Sequence, residues 1–342
     1  MQFKGKIITS LDRPPDIRLG PGGRSHDHVL IDWVLGNYCN YSCSYCFPES
    51  NTGTHPVPKL NDTIKSNIDH LIQELHNVNR KDIVFSLSGG EPTLYKQFIP
   101  LTQHIHDLGC KIGIVTNGSR SLKWWQRGVE HVQQIMLSIH HEHADIDHIC
   151  KVVDCLTQQD KHVTLYVMTH FEPTLFEKSI ETLARVVEQY KHTPNVRITI
   201  KLLRDLNNTT NWYTQQQLDR VDGLSSTHPQ QVRKLKGPIR IPREYNFDDG
   251  TNLNLSNNAS LNQQHLSGSW QGYTCLAPHD FVQIRADGIV GKMSCGQSYT
   301  SPQNLYSEDF KKFKLPSLGV TCKVQGQCGC IGLANSRKLL SH

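Results

Sequence analysis

A chain of 342 residues has room for about two domains, and with 37% hydrophobic and 20% charged residues it reads as an ordinary globular sequence, not as collagen, coiled coil or disorder. No run of about 18 or more apolar residues occurs, so no membrane partner is expected, and the opening MQFKGKIITSLDRPPDIRLG lacks the apolar stretch and small-residue site of a secretory signal. A net charge of +5 is too small to call for nucleic acid, and 11 cysteines without an export signal argue against a disulfide framework.

Residues 1–27 read as an N-terminal extension. From 28 to 225, short apolar runs alternate with helical stretches. The predicted strands are Val29–Leu35, Ile83–Leu87, Lys111–Thr116, Gln134–Ile139, Val163–Met168 and Val196–Leu202. They are rich in Val, Ile and Leu, as strands covered on both faces should be. The clearest helix follows the capping pair Asn61 and Asp62 and places Ile64, Ile68, Leu71, Ile72, Leu75 and Val78 on one stripe. Further helices are expected near Tyr95–Leu108, Leu122–His131, Ile146–Gln158 and Leu175–Tyr190. Strands alternating with helices predict an α/β fold with a parallel sheet, curled as a partial barrel. Residues 226–270 are rich in Ser, Asn, Gln, Gly and Pro and read as a linker or crossover. In 271–342, Asp287-Gly288 between Phe281–Arg285 and Ile289–Met293 predicts a β-hairpin in a small loop-rich domain.

The cysteines are unevenly placed. Cys39, Cys43 and Cys46 lie within eight residues, just after the first predicted strand. Three thiolates can wrap one metal centre but supply only three ligands. A structural zinc site wants four, whereas a [4Fe–4S] cluster held by three cysteines keeps one iron open. A zinc knuckle with a fourth ligand elsewhere, such as His55, and plain coincidence stand as the other readings. Cys110, Cys150 and Cys155 are expected to be small buried hydrophobes.

The triplet does not stand alone. Tyr45 precedes its third cysteine, Ser88-Gly89-Gly90-Glu91-Pro92 follows the second strand, Thr116-Asn117-Gly118 closes the third, and Ser138 lies on the fourth. Together these resemble the radical S-adenosylmethionine (SAM) superfamily over about residues 28–205. The resemblance implies a partial (β/α)6 TIM-like barrel with its site at the C-terminal strand ends. It implies a [4Fe–4S] cluster on Cys39, Cys43 and Cys46 that binds SAM. Gly89, Gly90, Glu91, Asn117, Ser138 and the aromatic Tyr45 become candidate SAM-binding residues. It also implies an electron donor such as flavodoxin or ferredoxin. One electron cleaves SAM to methionine and a 5′-deoxyadenosyl radical, which removes hydrogen from a substrate; the cofactor carries the hard chemistry. Such clusters point to a reducing cytoplasm.

Cys275, Cys295, Cys322, Cys328 and Cys330 resemble the SPASM and twitch extensions of that superfamily. The resemblance implies one auxiliary [4Fe–4S] cluster, with five cysteines for at most four positions. A structural zinc ribbon is the alternative. The superfamily modifies peptides and proteins, or small metabolites such as nucleosides and sugars. Its frequencies favour a peptide or protein substrate, although residues 1–27 are expected to be too few for a peptide-clasping domain. A non-catalytic zinc or iron–sulfur adaptor is the reading from another class. His140-His141-Glu142-His143, with His148 beyond, follows the fourth strand and is either a solvated loop or a proton-handling group. Arg233, Lys234, Lys236, Arg240 and Arg243 form either a solvated face or a grip for phosphate.

Overall fold

The computed structural model describes residues 27–46, 51–203, 212–227, 271–292 and 296–323, apart from 273, 276 and 318. It also describes the short strands Ile7–Leu11, Val232–Lys234, Glu244–Phe247, Asn252–Asn254 and Lys338–Leu339.

Strands and helices alternate as the periodicity predicts. In chain order they are β1 (His28–Val34), α1 (Asp62–Asn77), β2 (Asp82–Ser88), α2 (Phe98–Asp107), β3 (Lys111–Thr116), α3 (Leu122–Trp125) and β4 (Gln134–His140). There follow α4 (Ile146–Gln158), β5 (His162–Thr169), α5 (Pro173–Tyr190), β6 (Val196–Leu202), α6 (Gln215–Thr227) and β7 (Val232–Lys234). After these come a short helix α7 (Ala277–Asp280), β8 (Phe281–Ile284), β9 (Ile289–Lys292) and β10 (Ser298–Asn304).

The strands form one sheet in the order β8-β1-β2-β3-β4-β5-β6-β7, with every pair parallel. Among the described residues β8 and β7 do not pair with each other, so this is an open, partial TIM-like barrel. Parallelism puts all the C-terminal strand ends at one mouth.

Alternation along each strand divides the two faces. On β5, Val163, Leu165 and Val167 are fully buried with the helix side chains Phe176, Leu183 and Val186. The alternate positions of β4, β5 and β6 carry Ser138, His140, Tyr166, Thr199 and Lys201. One face is therefore apolar and the other polar. Helix α1 shows the local logic. The Asn61 side chain accepts from the Ile64 amide at its start, and Ile64, Ile68, Leu71, Ile72 and Leu75 are buried.

Two expectations are corrected. The helix foreseen over Leu122–His131 is the single turn Leu122–Trp125, continued by turns in which Gly128 N donates to Trp124 O at 2.7 Å and Val132 N to Val129 O at 3.0 Å. The strands on either side of Asp287-Gly288 are joined at the turn, where Arg285 N donates to Ile289 O at 3.1 Å, but among the described residues they do not pair along their lengths. The turn forms, with Gly288 N donating to Arg285 O at 2.8 Å, but β8 joins β1 in the main sheet and β9 pairs antiparallel with β10.

The C-terminal segment is bound to the barrel by polar contacts. Arg80 Nε donates to His279 O at 2.7 Å, and its guanidinium meets the buried Asp280. From α1, Asn67 donates to Leu305 O and Ser307 O, and Glu74 accepts from Lys314 Nζ and Leu315 N. No helix among the described residues is long and apolar enough to cross a membrane.

Candidate metal centre at the mouth of the barrel

The cysteine loop leaves β1 and lies between the end of β2 on one side and the end of β4 on the other. On the β2 side the contact is backbone on backbone. Gly90 N donates to Gly36 O at 3.3 Å, and Glu91 N donates to Tyr38 O at 2.7 Å. Gly89 has φ +130°, and a Cβ on Gly90 would stand 2.1 Å from Tyr38 O. Glycine is required there because the backbone before Cys39 passes too close for any side chain.

Glu91, next in the same segment, is 2% exposed. Its Oε1 accepts from Thr93 N, Thr93 Oγ1 at 2.6 Å and Thr116 Oγ1 at 2.8 Å, and its Oε2 from Asn117 N at 2.6 Å. Burial pushes this carboxyl above the usual range, and the four donors oppose that push. The carboxylate thereby joins the ends of β2 and β3. Asn117, so placed, turns its amide to Asn40 Oδ1 at 3.0 Å and to Cys39 Sγ at 3.7 Å.

On the β4 side, Glu142 reaches Ser44, which lies between Cys43 and Cys46. It accepts from Ser44 N at 2.8 Å and from Ser44 Oγ. His170, at the end of β5, meets the same carboxylate at 3.1 Å through Nε2. His170 Nδ1 accepts from Glu172 N at 3.0 Å, so the Nε2 proton is the one that points to Glu142. Burial works against the Glu142 charge, but the bonds from Ser44 and His170 outweigh it and hold the carboxyl low. Tyr45 Oη lies 2.7 Å from His140 Nδ1, with the two rings stacked, and Tyr41 stacks on His143. Burial, with Lys201 nearby, lowers His140 to about 4, so it is neutral at pH 7.

The donor set fits the cluster the sequence suggests. Among the described residues, the set of His, Cys, Asp and Glu ligand atoms lying within 4.8 Å of one another is Cys43, Glu142 and His143. Three thiols on one loop, with the Asn117 amide donating to the Cys39 sulfur, are donors that such a cluster can take. Burial pushes the Cys43 thiol up to about 12, with repulsion from Glu142 adding to it, so a metal must displace its proton. His55 is tied into the loop through its backbone, by His55 N to Asn37 Oδ1 at 2.7 Å.

The structure thus brings Tyr45, Gly89, Gly90, Glu91 and Asn117 around the three cysteines. Ser138 lies deeper on β4, buried and opposite Tyr166. Sequence reasoning missed Ser44 and His170 and left Glu142 undecided. The available signal was position, since Glu142 and His170 directly follow β4 and β5. Cys110 and Cys150 are buried, and Cys155 packs against the core. Cys275 and Cys322 are buried on neighbouring segments: Cys275 pairs with Val320, and Gly272 N donates to Cys322 O. Cys295, Cys328 and Cys330 lie outside the described residues, as do the side chains of Arg233, Lys234, Lys236, Arg240 and Arg243.

An open parallel barrel with a three-cysteine loop at its mouth places three thiols where the C-terminal strand ends meet. Residues 33–159 match the family model described as the radical SAM superfamily. Among curated relatives, an S-adenosylmethionine-dependent nucleotide dehydratase from Selenomonas ruminantium is 34% identical over 25% of this chain and 28% of its own length. A GTP 3′,8-cyclase from Haemophilus influenzae is 33% identical over 28% of this chain and 29% of its own. The chain thus spans under a third of the length of these relatives. The crystal structure of Streptococcus suis SuiB, 13% identical, has the same fold at a TM-score of 0.50, covering 83% of this chain and 65% of that one.

Proposed function

We propose that this chain is a radical SAM enzyme that cleaves SAM reductively and removes a hydrogen atom from a nucleotide-type substrate. A bound [4Fe–4S] cluster with SAM supplies the radical chemistry. The chain's own residues position it. Cys39, Cys43 and Cys46 hold the cluster, and Asn117 donates to the Cys39 sulfur. The Gly89-Gly90 backbone and the buried Glu91 fix the loop's inner side. The observation that carries the reading is this loop, fastened at the C-terminal strand ends where such barrels place their chemistry. Cys275 and Cys322, with Cys295, Cys328 and Cys330, are proposed to supply an auxiliary [4Fe–4S] cluster. A reducing partner such as flavodoxin or ferredoxin is the proposed electron source.

The substrate class rests on two supports. The relatives' names are both nucleotide chemistry. The polar face of β6 carries Lys201 near the C-terminal end of the strand, with its ammonium 5.5 Å from the Tyr166 ring centroid. A cation beside an aromatic suits a phosphate-bearing base. These supports favour the nucleoside alternative over the peptide substrate that the resemblance suggests.

The test is anaerobic reconstitution with iron and sulfide. Roughly eight irons per chain, for two cubane clusters, with dithionite-dependent release of 5′-deoxyadenosine is the expected result. Bound zinc with no deoxyadenosine overturns the enzyme reading and favours a non-catalytic adaptor. Nucleoside phosphates are expected to stimulate the release, less so at high salt; stimulation by peptides alone overturns the substrate class.

A further inference from the structure

The turn after β4 places a fixed negative charge beside the cysteine loop. His143 N and Ala144 N both donate to His140 O, which folds Glu142 back over the mouth. There it takes both Ser44 donors, and its carboxylate oxygen lies within 4.8 Å of Cys43 Sγ. The side chain is 16% exposed and is braced by His170, itself 6% exposed. His170 is held in turn by the Glu172 amide at the start of α5. The charge is therefore anchored through β5 and α5 and does not wave in solvent.

We propose that Glu142 is a positioning residue for the cluster, pinning the turn between Cys43 and Cys46 and holding the cluster's reduction potential down. The inference rests on the cluster assignment of the proposed function. The step concerned is uptake of one electron from an external reductant, with no bond formed or broken at Glu142. A nearby anion disfavours the added negative charge, and net charge and hydrogen bonds to sulfur set such potentials. Glu142 also occupies the Ser44 amide, which otherwise is a donor available to cluster sulfur. Both effects act in the same direction.

The experiment compares the reconstituted full chain with Glu142→Gln, Glu142→Asp and, as a remote control, Glu188→Gln on the exposed face of α5. Iron content and the midpoint potential, followed by electron paramagnetic resonance under dithionite titration, are read for each. Glu142→Gln keeps an acceptor for Ser44 and is expected to retain iron while its potential moves to a less negative value. Glu142→Asp and the control are expected to stay near the parent. If Glu142→Gln fails to load while Glu142→Asp loads, the requirement for charge still stands. Loaded Glu142→Gln at the parent potential, or equal loading failure of both variants, overturns the inference. Failure of the parent chain to assemble a cubane overturns the functional reading instead, and the iron measurement separates the two.

Discussion

Glu91 and Glu142 each tie a strand end to the cysteine loop, from opposite sides and in different surroundings. Glu91 is buried, and its carboxylate is filled by Thr93, Thr116 and Asn117, so its work is finished within the protein. Glu142 stands at the rim, bonded to one serine and one histidine, and its charge is held rather than suppressed. The inner tie decides where the backbone runs. The outer tie decides the field that a bound group meets. Loss of the first is therefore expected to appear as misfolding, and loss of the second as altered chemistry in a folded protein.

The comparison breaks most visibly at Gly90. An alanine there overlaps the Tyr38 carbonyl, and Gly90→Ala is expected to cost about 3 kcal/mol or more, measured as a lower thermal midpoint together with lost iron. Glu91→Gln comes next, because an amide NH2 must face donors inside a dry site. About 2 kcal/mol is expected by denaturant melts, with iron content falling in parallel. If Glu91→Gln is neutral in stability, the inner tie is no more structural than the outer one.

A third test uses pH. His141, beside Glu142, donates Nδ1–H to Met168 O at 3.1 Å, and its Nε2 is buried without a partner. Burial lowers it to about 4. Unfolding restores a value near 6.5, so the unfolded chain takes up the proton first. Stability is thus full above about pH 6.5 and falls as pH drops towards about 4. His141→Gln is expected to flatten that part of the thermal-midpoint profile.

The smallest effect is expected at the far end of the barrel. The bonds from His28 and then Lys111 hold Asp82 down at about 2, against the cost of its burial. Asp82→Asn is expected to cost about 1 kcal/mol at pH 7 and to leave iron loading untouched. Its contribution is present above the ordinary carboxylate range and is lost as pH falls towards 2.

What could be read in advance followed from local periodicity. β3, α4 and β6 have the ends the sequence suggests, because capping and alternation act within a few residues. The cysteine triplet and the Gly-Gly turn were visible for the same reason: their meaning is in short spacing. Ser44 and Glu142 are 98 residues apart, and His170 lies 28 further on. Nothing local announces that they meet. β8 was hidden similarly, since its alternation fits a hairpin as well as a sheet edge, and only pairing with β1 decides between them.

That pairing has a consequence for how the chain is made. β1 is among the first strands to be synthesised, yet one of its two edges is covered by β8, about 250 residues later in the sequence. Until the ribosome has released Phe281–Ile284, a strand carrying Val29, Ile31 and Trp33 presents an open ladder, the kind of edge that recruits other chains. The segment that follows Cys275 thus also supplies the edge strand that covers β1. A nascent chain halted before Phe281–Ile284 would be expected to aggregate, because β1 would lack its cover.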